Sequence, residues 1–455
     1  MDIHHTINYL QTLFPDIRQL PEKKIQAFII QEILKSPYPR VDHQKVHQLM
    51  GKNYVPGLFW LRDRKEKPAY LSEESKIPFH LWLYQKFEAE ADQLAKNPLL
   101  AQAIAQTGKE TILTHALHIL EFYDSDHIMF LDKIINQEFS DIFRRILMLI
   151  LTGDSLFIFH NHREFNELGR QTVPLILECT KQYSFRDRLF QSVAGGIIGL
   201  NIKEEKISTA PISLKNNFSL NQTTIPELCD KIEVCIHDPR KIAIDCYNEY
   251  YNEVINGKNV TVAWMTDDYI QTIFELKFIE EQMTYNLSLT FTLIPRYDSY
   301  SNDASYADVM DMLRLPVLER LHQYYRSGRF YVCRNGMDIS TFDGYRMSEE
   351  VYRLLNHADI VVISGARAYE MSQGMDKIVY YTGIVVCKSY TESITGFSKD
   401  SGQLIFLRQG KKEHSFENFA KRAERKMHTD DGLIPVAGKT AREYYEEKYK
   451  RQSTL

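Results

Sequence analysis

Through the first 190 or so residues, apolar positions recur at three- and four-residue intervals. KKIQAFIIQEILK, IPFHLWLYQKFEAEADQLAK and ETILTHALHILEF each gather them on one face of a helix. Pro37-Tyr38-Pro39 and Asn97-Pro98 separate such segments as turns. Near Gly195 the texture changes, and VAGGIIGLNIKEEKISTAPISLKNNFSLNQ, rich in Gly, Ser and Asn, reads as a junction. Beyond it come short continuous apolar runs: NVTVAWM, LSLTFTLI, RFYVC, ADIVVIS, IVVCK and GQLIFLR. Helical stretches such as YIQTIFELKFIEEQM and SEEVYRLLNH lie between several of them. Alternation of this kind predicts a mainly parallel sheet covered on both faces. The expected architecture is an N-terminal helical domain over 1–205, a Rossmann-like α/β domain over 206–425, and a charged helical tail over 426–455.

Composition narrows the class without choosing a ligand. A chain of 455 residues is long enough for two structural units, and 44% hydrophobic with 25% charged residues describes a globular protein rather than a disordered one. The 12% aromatic share fills large cores or stacking surfaces equally well. A formal net charge of −5 gives no reason to expect a duplex nucleic-acid partner, which would favour a basic face, and is compatible with an acidic metal site. Six cysteines without Cys-x-x-Cys spacing predict scattered, reduced thiols and a cytoplasmic setting. The first twenty residues lack the basic-then-apolar pattern of a secretory signal. The run Ile146 to Phe159 is too short, and too broken by Gly153 and Asp154, to span a membrane. Nothing in the pattern specifies an oligomeric state.

Open α/β sheets bind ligands beyond the carboxyl ends of their strands, so those residues are the first candidates. NVTVAWM is followed by Thr266-Asp267-Asp268, LSLTFTLI by a loop containing Ser301-Asn302-Asp303-Ala304, and RFYVC by Arg334-Asn335-Gly336-Met337-Asp338. ADIVVIS, ending at Ser364, is followed by Gly365-Ala366-Arg367-Ala368-Tyr369-Glu370. Carboxylate and amide oxygens suit hard divalent ions. Asp and Asn also follow strands for a plainer reason, since they cap helices and shape turns. His115 and His118, near His127, and His160 with His162 lack the carboxylate spacing that would complete a zinc site.

The order VTVAWMTDDYIQTIFELKFIEEQM, LIPRYDSYSNDASYADV, MSEEVYRLLNHADIVVISGARAYEM resembles the damage-control phosphatase family, also called domain of unknown function eighty-nine. That family carries an Asp-Asn pair opening a helix, then an Asn-Asp-Ala-Thr or Ser-Asp-Val-Thr turn, then an Ala-Asp-Leu-Val-Ile-x-Lys-Gly-x-x-Asn-Tyr-Glu block. The resemblance covers about residues 195–410, and GLNIKEE is a faint echo of a Gly-Asn element that precedes the family's core. It implies a metal-dependent phosphatase acting on small phosphorylated metabolites such as sugar phosphates. Carried over by motif, Asp267, Asp268 and Asp303 become ligands to Mn²⁺, Co²⁺, Ni²⁺ or Mg²⁺, with Asp267 and Asp303 catalytic. Asn302, Ser364 and Arg367 become the phosphate-binding set, and Asp308 a supporting or loop-shaping group. Water and an Asp carboxylate both stand as candidate nucleophiles.

Three positions depart from the pattern. The family's Asn is Asp268, its Lys is Ser364 and its second Asn is Ala368. Asp268 adds a negative charge beside Asp267, which a bound cation would offset. Losing the Lys removes a point charge that would meet phosphate. These changes set a second reading beside the first: a metal- or phosphate-binding module of the same fold with impaired turnover. A carboxyl methyltransferase ranks lower because the Gly-x-Gly loop for its cofactor is missing, and neither a haloacid-dehalogenase Asp-x-Asp-x-Thr nor a phosphate-binding P-loop is present.

Overall fold

The computed structural model describes residues 38–51, most of 91–116, 145–151, 163–199, 224–298, 303–337, 342–372, 374–384 and 403–410, with isolated positions elsewhere. The chain forms two compact units. One comprises Met1–Pro37, Gly57–Ile158 and Ala423–Leu455, and the other Tyr38–Pro56 and Phe159–Arg422. Described residues of the first include the helix Pro98–Thr107 and a buried helical stretch over 146–150. The second unit carries the sheet.

The α/β unit begins well before the expected boundary at 205. It contains α1 (His43–Met50), α2 (Arg163–Cys179), α3 (Phe185–Gly199) and α4 (Thr224–His237) ahead of its first strand. The glycines read as a junction have a different task. Gly195 and Gly196 lie inside α3, which packs on α5 (Tyr269–Tyr285). A Cβ on Gly195 would stand 2.7 Å from the Phe274 ring and 3.2 Å from the Gln271 Cα. The two helices approach closely because nothing projects there.

Seven strands form one sheet: β1 (Ile242–Asp245), β2 (Thr261–Met265), β3 (Thr290–Ile294), β4 (Phe330–Val332), β5 (Ile360–Ser364), β6 (Ile378–Ile384) and β7 (Leu404–Gln409), in the order β1-β7-β6-β5-β2-β3-β4. The block β6-β5-β2-β3-β4 is parallel throughout, while β7 runs antiparallel to β6 and β1 runs parallel to β7. The mainly parallel, Rossmann-like expectation therefore describes the sheet. β6 takes in IVYYTGI and ends at Ile384, the first residue of the IVVCK run, whose remaining residues, 385–388, lie outside the described residues. β1 was not visible as an apolar run at all, being four half-buried or exposed residues on the sheet edge.

The continuous apolar runs follow from burial on both faces. Val262, Ala263, Trp264 and Met265 of β2 are all buried, as is every residue of β5. α5 is buried on nearly every side, including polar Gln271, Thr272, Glu275, Glu280 and Gln282, so each of these needs an internal partner. No helix among the described residues is long and apolar enough to cross a membrane.

Trp264 joins the sheet to α5, its ring meeting Phe278 edge-on at 6.2 Å and its Nε1 donating to the Ser364 hydroxyl at 3.1 Å. Trp264→Ala is expected to lower the unfolding free energy of this unit by about 3–5 kcal/mol, as large aromatic truncations in cores do. Urea denaturation followed by circular dichroism measures it. A loss under about 1 kcal/mol would show that the core closes around the missing ring.

Candidate functional site

β3 and β4 step outward from one side of β2, while β5 returns to its other side. The strand order reverses between β2 and β5, and it is at such a reversal that the carboxyl ends of a parallel sheet leave a crevice. Thr266, Asp267 and Asp268 follow β2 there, and Gly365 follows β5. Gly365 has φ 85°, and a Cβ on it would lie 2.0 Å from Asp267 Oδ2. The Asp267 carboxylate is thus seated on bare backbone, which makes this glycine a requirement of the site.

Asp303 arrives from the loop after β3. It pairs with Asp268 in an isolated antiparallel bridge, and the neighbouring Ala304 N–H donates to the Asp267 carbonyl at 2.8 Å. The structure therefore brings together the three aspartates singled out by the sequence. What the sequence reading missed is the residue among them. The Arg296 side chain is 1% exposed; its Nε donates to Asp303 Oδ2 at 2.9 Å and its Nη2 to Asp267 Oδ1 at 3.2 Å. Its Nη1 lies 3.5 Å from Met337 Sδ. The Arg296 backbone is pinned as well, its N–H donating to the Ala304 carbonyl at 3.0 Å and its carbonyl accepting from the Tyr306 N–H at 2.9 Å.

Charge is distributed unevenly over the cluster. The Asp267 side chain is 26% exposed and that of Asp303 12%. Asp268 is buried; burial first, then the charges of Asp267, Asp303 and Glu275, hold its carboxyl well above the usual carboxylate range, with Arg296 acting in the opposite sense. An all-oxygen set of three carboxylates has the chemistry for a hard divalent ion, and Asp267, Asp268 and Asp303 are the residues that would hold one. Their present orientation serves the guanidinium instead: among the described residues, no three His, Cys, Asp or Glu side chains are grouped to hold an ion.

Ser364 leaves the phosphate-binding set. It is buried, its hydroxyl donates to Glu275 Oε1, and its oxygen accepts from Thr382 Oγ1 at 2.9 Å and from Trp264 Nε1 at 3.1 Å. One donor and two acceptor sites are all that a hydroxyl has, so nothing remains for a ligand. Glu275 is the centre of this network, accepting also from Thr266 Oγ1 at 2.6 Å and Gln271 Nε2 at 2.9 Å. It ties the ends of β2 and β5 to α5 directly beneath the aspartates. Burial raises its carboxyl, and the surrounding donors partly oppose that shift. Neither Glu275 nor Arg296 was singled out from sequence. The available signals were an acid in the middle of the helical stretch after β2 and an arginine two residues past the end of β3.

The remaining candidates divide clearly. Asp308 closes a capping box with Ser305, accepting from the Ser305 N–H at 2.9 Å, so it shapes the helix Tyr306–Met312 and its loop. Ala368 is buried. Arg367 lies on the short helix Ala366–Met371, its side chain outside the described residues. Asn302, Asp338, His118, His127, His160 and His162 also lie outside the described residues, and His115 is buried.

No protein-family model matches the sequence, and no curated protein matches it. Among solved structures, a crystal structure of a DUF89 family protein from Pyrococcus horikoshii is similar in fold, at 14% sequence identity and a TM-score of 0.48. The match covers 71% of this chain and 98% of that one.

The buried acid gives a pH signature. The folded Glu275 carboxyl holds its proton above the unfolded value of about 4.3, so its contribution to stability is intact below that value and is lost as pH rises toward the raised folded one. Wild type is therefore expected to lose stability relative to Glu275→Gln as pH rises above the unfolded carboxyl value of about 4.3, in urea denaturation. The opposite trend would mean that its donors favour the anion more than burial disfavours it.

Proposed function

We propose that the chain is a metal-dependent phosphatase of small phosphorylated metabolites such as sugar phosphates, with its site at Asp267, Asp268 and Asp303. The observation that carries this reading is the meeting of the Asp267 and Asp303 carboxylates on one guanidinium, with Asp268 bridged to Asp303 through the backbone, where the strand order reverses. The three sequence blocks resembling the damage-control phosphatases support it from the other direction. When bound, Mn²⁺, Co²⁺, Ni²⁺ or Mg²⁺ would neutralise phosphate charge and orient the attacking group.

The chain's own residues have separable tasks in this reading. Asp267, the most exposed of the three, faces the substrate side, and Gly365 leaves room for its carboxylate. Asp303 and Asp268 lie deeper and are fixed to one another through the backbone bridge. The Asp268 carboxyl, raised first by burial and then by its neighbours' charges, gives up its proton more readily as positive charge is added to the cluster. Free thiols at Cys179, Cys229, Cys235, Cys246 and Cys333 support a reducing, cytoplasmic setting.

One observation favours a second reading, a binding module without turnover. The family's phosphate-directed Lys is Ser364, and that hydroxyl is buried and fully engaged. Hydrolysis of an aryl phosphate and of hexose phosphates, assayed across the four metals, separates the two. Turnover is expected, and Asp267→Asn is expected to reduce it by about 10²–10³-fold, the usual loss of a group that stabilises transition-state charge. Metal binding with no turnover on any substrate would leave the binding module as the function.

A further inference from the structure

We propose that Arg296 is the resident counter-charge of the acid site, and that a divalent ion must displace it from Asp267 and Asp303 to bind. The inference rests on the metal-dependent reading above and adds to it a residue that the family motifs do not mark. Its geometric basis is direct. One guanidinium, 1% exposed, bonds a carboxylate oxygen of Asp267 at 3.2 Å and one of Asp303 at 2.9 Å. These are two of the three residues that would hold the ion.

The electrostatics give the same assignment. Arginine stays charged at any pH a folded protein meets, so it supplies a permanent positive charge among the three aspartates. That charge limits the mutual repulsion of Asp267 and Asp303 when no ion is present. An arriving ion and the guanidinium claim the same negative charge, and placing both positive charges there at once is unfavourable. The backbone of Arg296 is held by Ala304 on one side and Tyr306 on the other. Release must therefore come from rotation of the side chain, with the loop left in place.

Such an arrangement makes the folded chain independent of metal and weakens its affinity for it. Both consequences are measurable without following catalysis. Calorimetric titration of the full-length protein with Mn²⁺, and thermal unfolding with and without Mn²⁺, would be compared for wild type, Arg296→Gln and Arg296→Lys. Arg296→Gln is expected to bind Mn²⁺ about tenfold or more tightly than wild type. It is also expected to melt at a lower temperature without the ion and to recover when saturated. Arg296→Lys, which keeps the charge but loses the planar fork, is expected to lie between them.

Equal Mn²⁺ affinity in wild type and Arg296→Gln would overturn the inference while leaving the metal-dependent reading standing. Absence of Mn²⁺ binding in all three proteins would remove both. If Arg296→Gln folds only with Mn²⁺ present, that dependence is itself the expected result. Arg296→Lys then carries the affinity comparison, and a wild-type affinity in that variant would overturn the proposal.

Discussion

Three carboxylates can share one sheet edge only if positive charge is placed among them. In this protein the charge comes from Arg296, held between Asp267 and Asp303. Much of the local structure is arranged around that contact. The loop after β3 folds back so that Asp303 reaches Asp268 and Ala304 reaches Asp267. Gly365 turns with a positive φ so that the Asp267 carboxylate can sit against backbone. Removing the guanidinium from a buried cluster of this kind would leave carboxylates without their counter-charge, which typically costs about 3–5 kcal/mol.

Beneath the cluster lies a second polar layer that the fold cannot omit. Glu275 accepts from Thr266, Gln271 and Ser364, which ties α5 to the ends of β2 and β5. Those are the strands whose carboxyl ends define the crevice. Ser364 is thus committed to the scaffold.

The sheet was legible because strands buried on both faces read as uninterrupted apolar runs, and NVTVAWM, LSLTFTLI, RFYVC and ADIVVIS all contain strands. β1 was not, since an edge strand of partly exposed residues carries no such run. The glycines near 195 were ambiguous for a physical reason: glycine permits close helix packing as readily as it permits a linker, and Gly195 lies against Phe274 and Gln271. In the candidate site, Asp267, Asp268 and Asp303 were singled out by the strand-end rule together with the family resemblance, and the fold brings them to one place. Arg296 was not, because a single arginine in a sequence does not reveal which charges it will meet. The polar network around Ser364 was not legible because its partners, Glu275, Trp264 and Thr382, come from three separate elements. Only the packed fold brings them to one hydroxyl.

The most direct test is a crystal structure of the full chain grown with Mn²⁺, with anomalous diffraction used to locate the ion. An anomalous peak flanked by Asp267, Asp268 and Asp303 is expected, with the Arg296 guanidinium rotated away from both of its present partners. Arg296 still bonded to Asp267 and Asp303, with no anomalous peak beside them at saturating Mn²⁺, would contradict the assignment of this edge as a metal site.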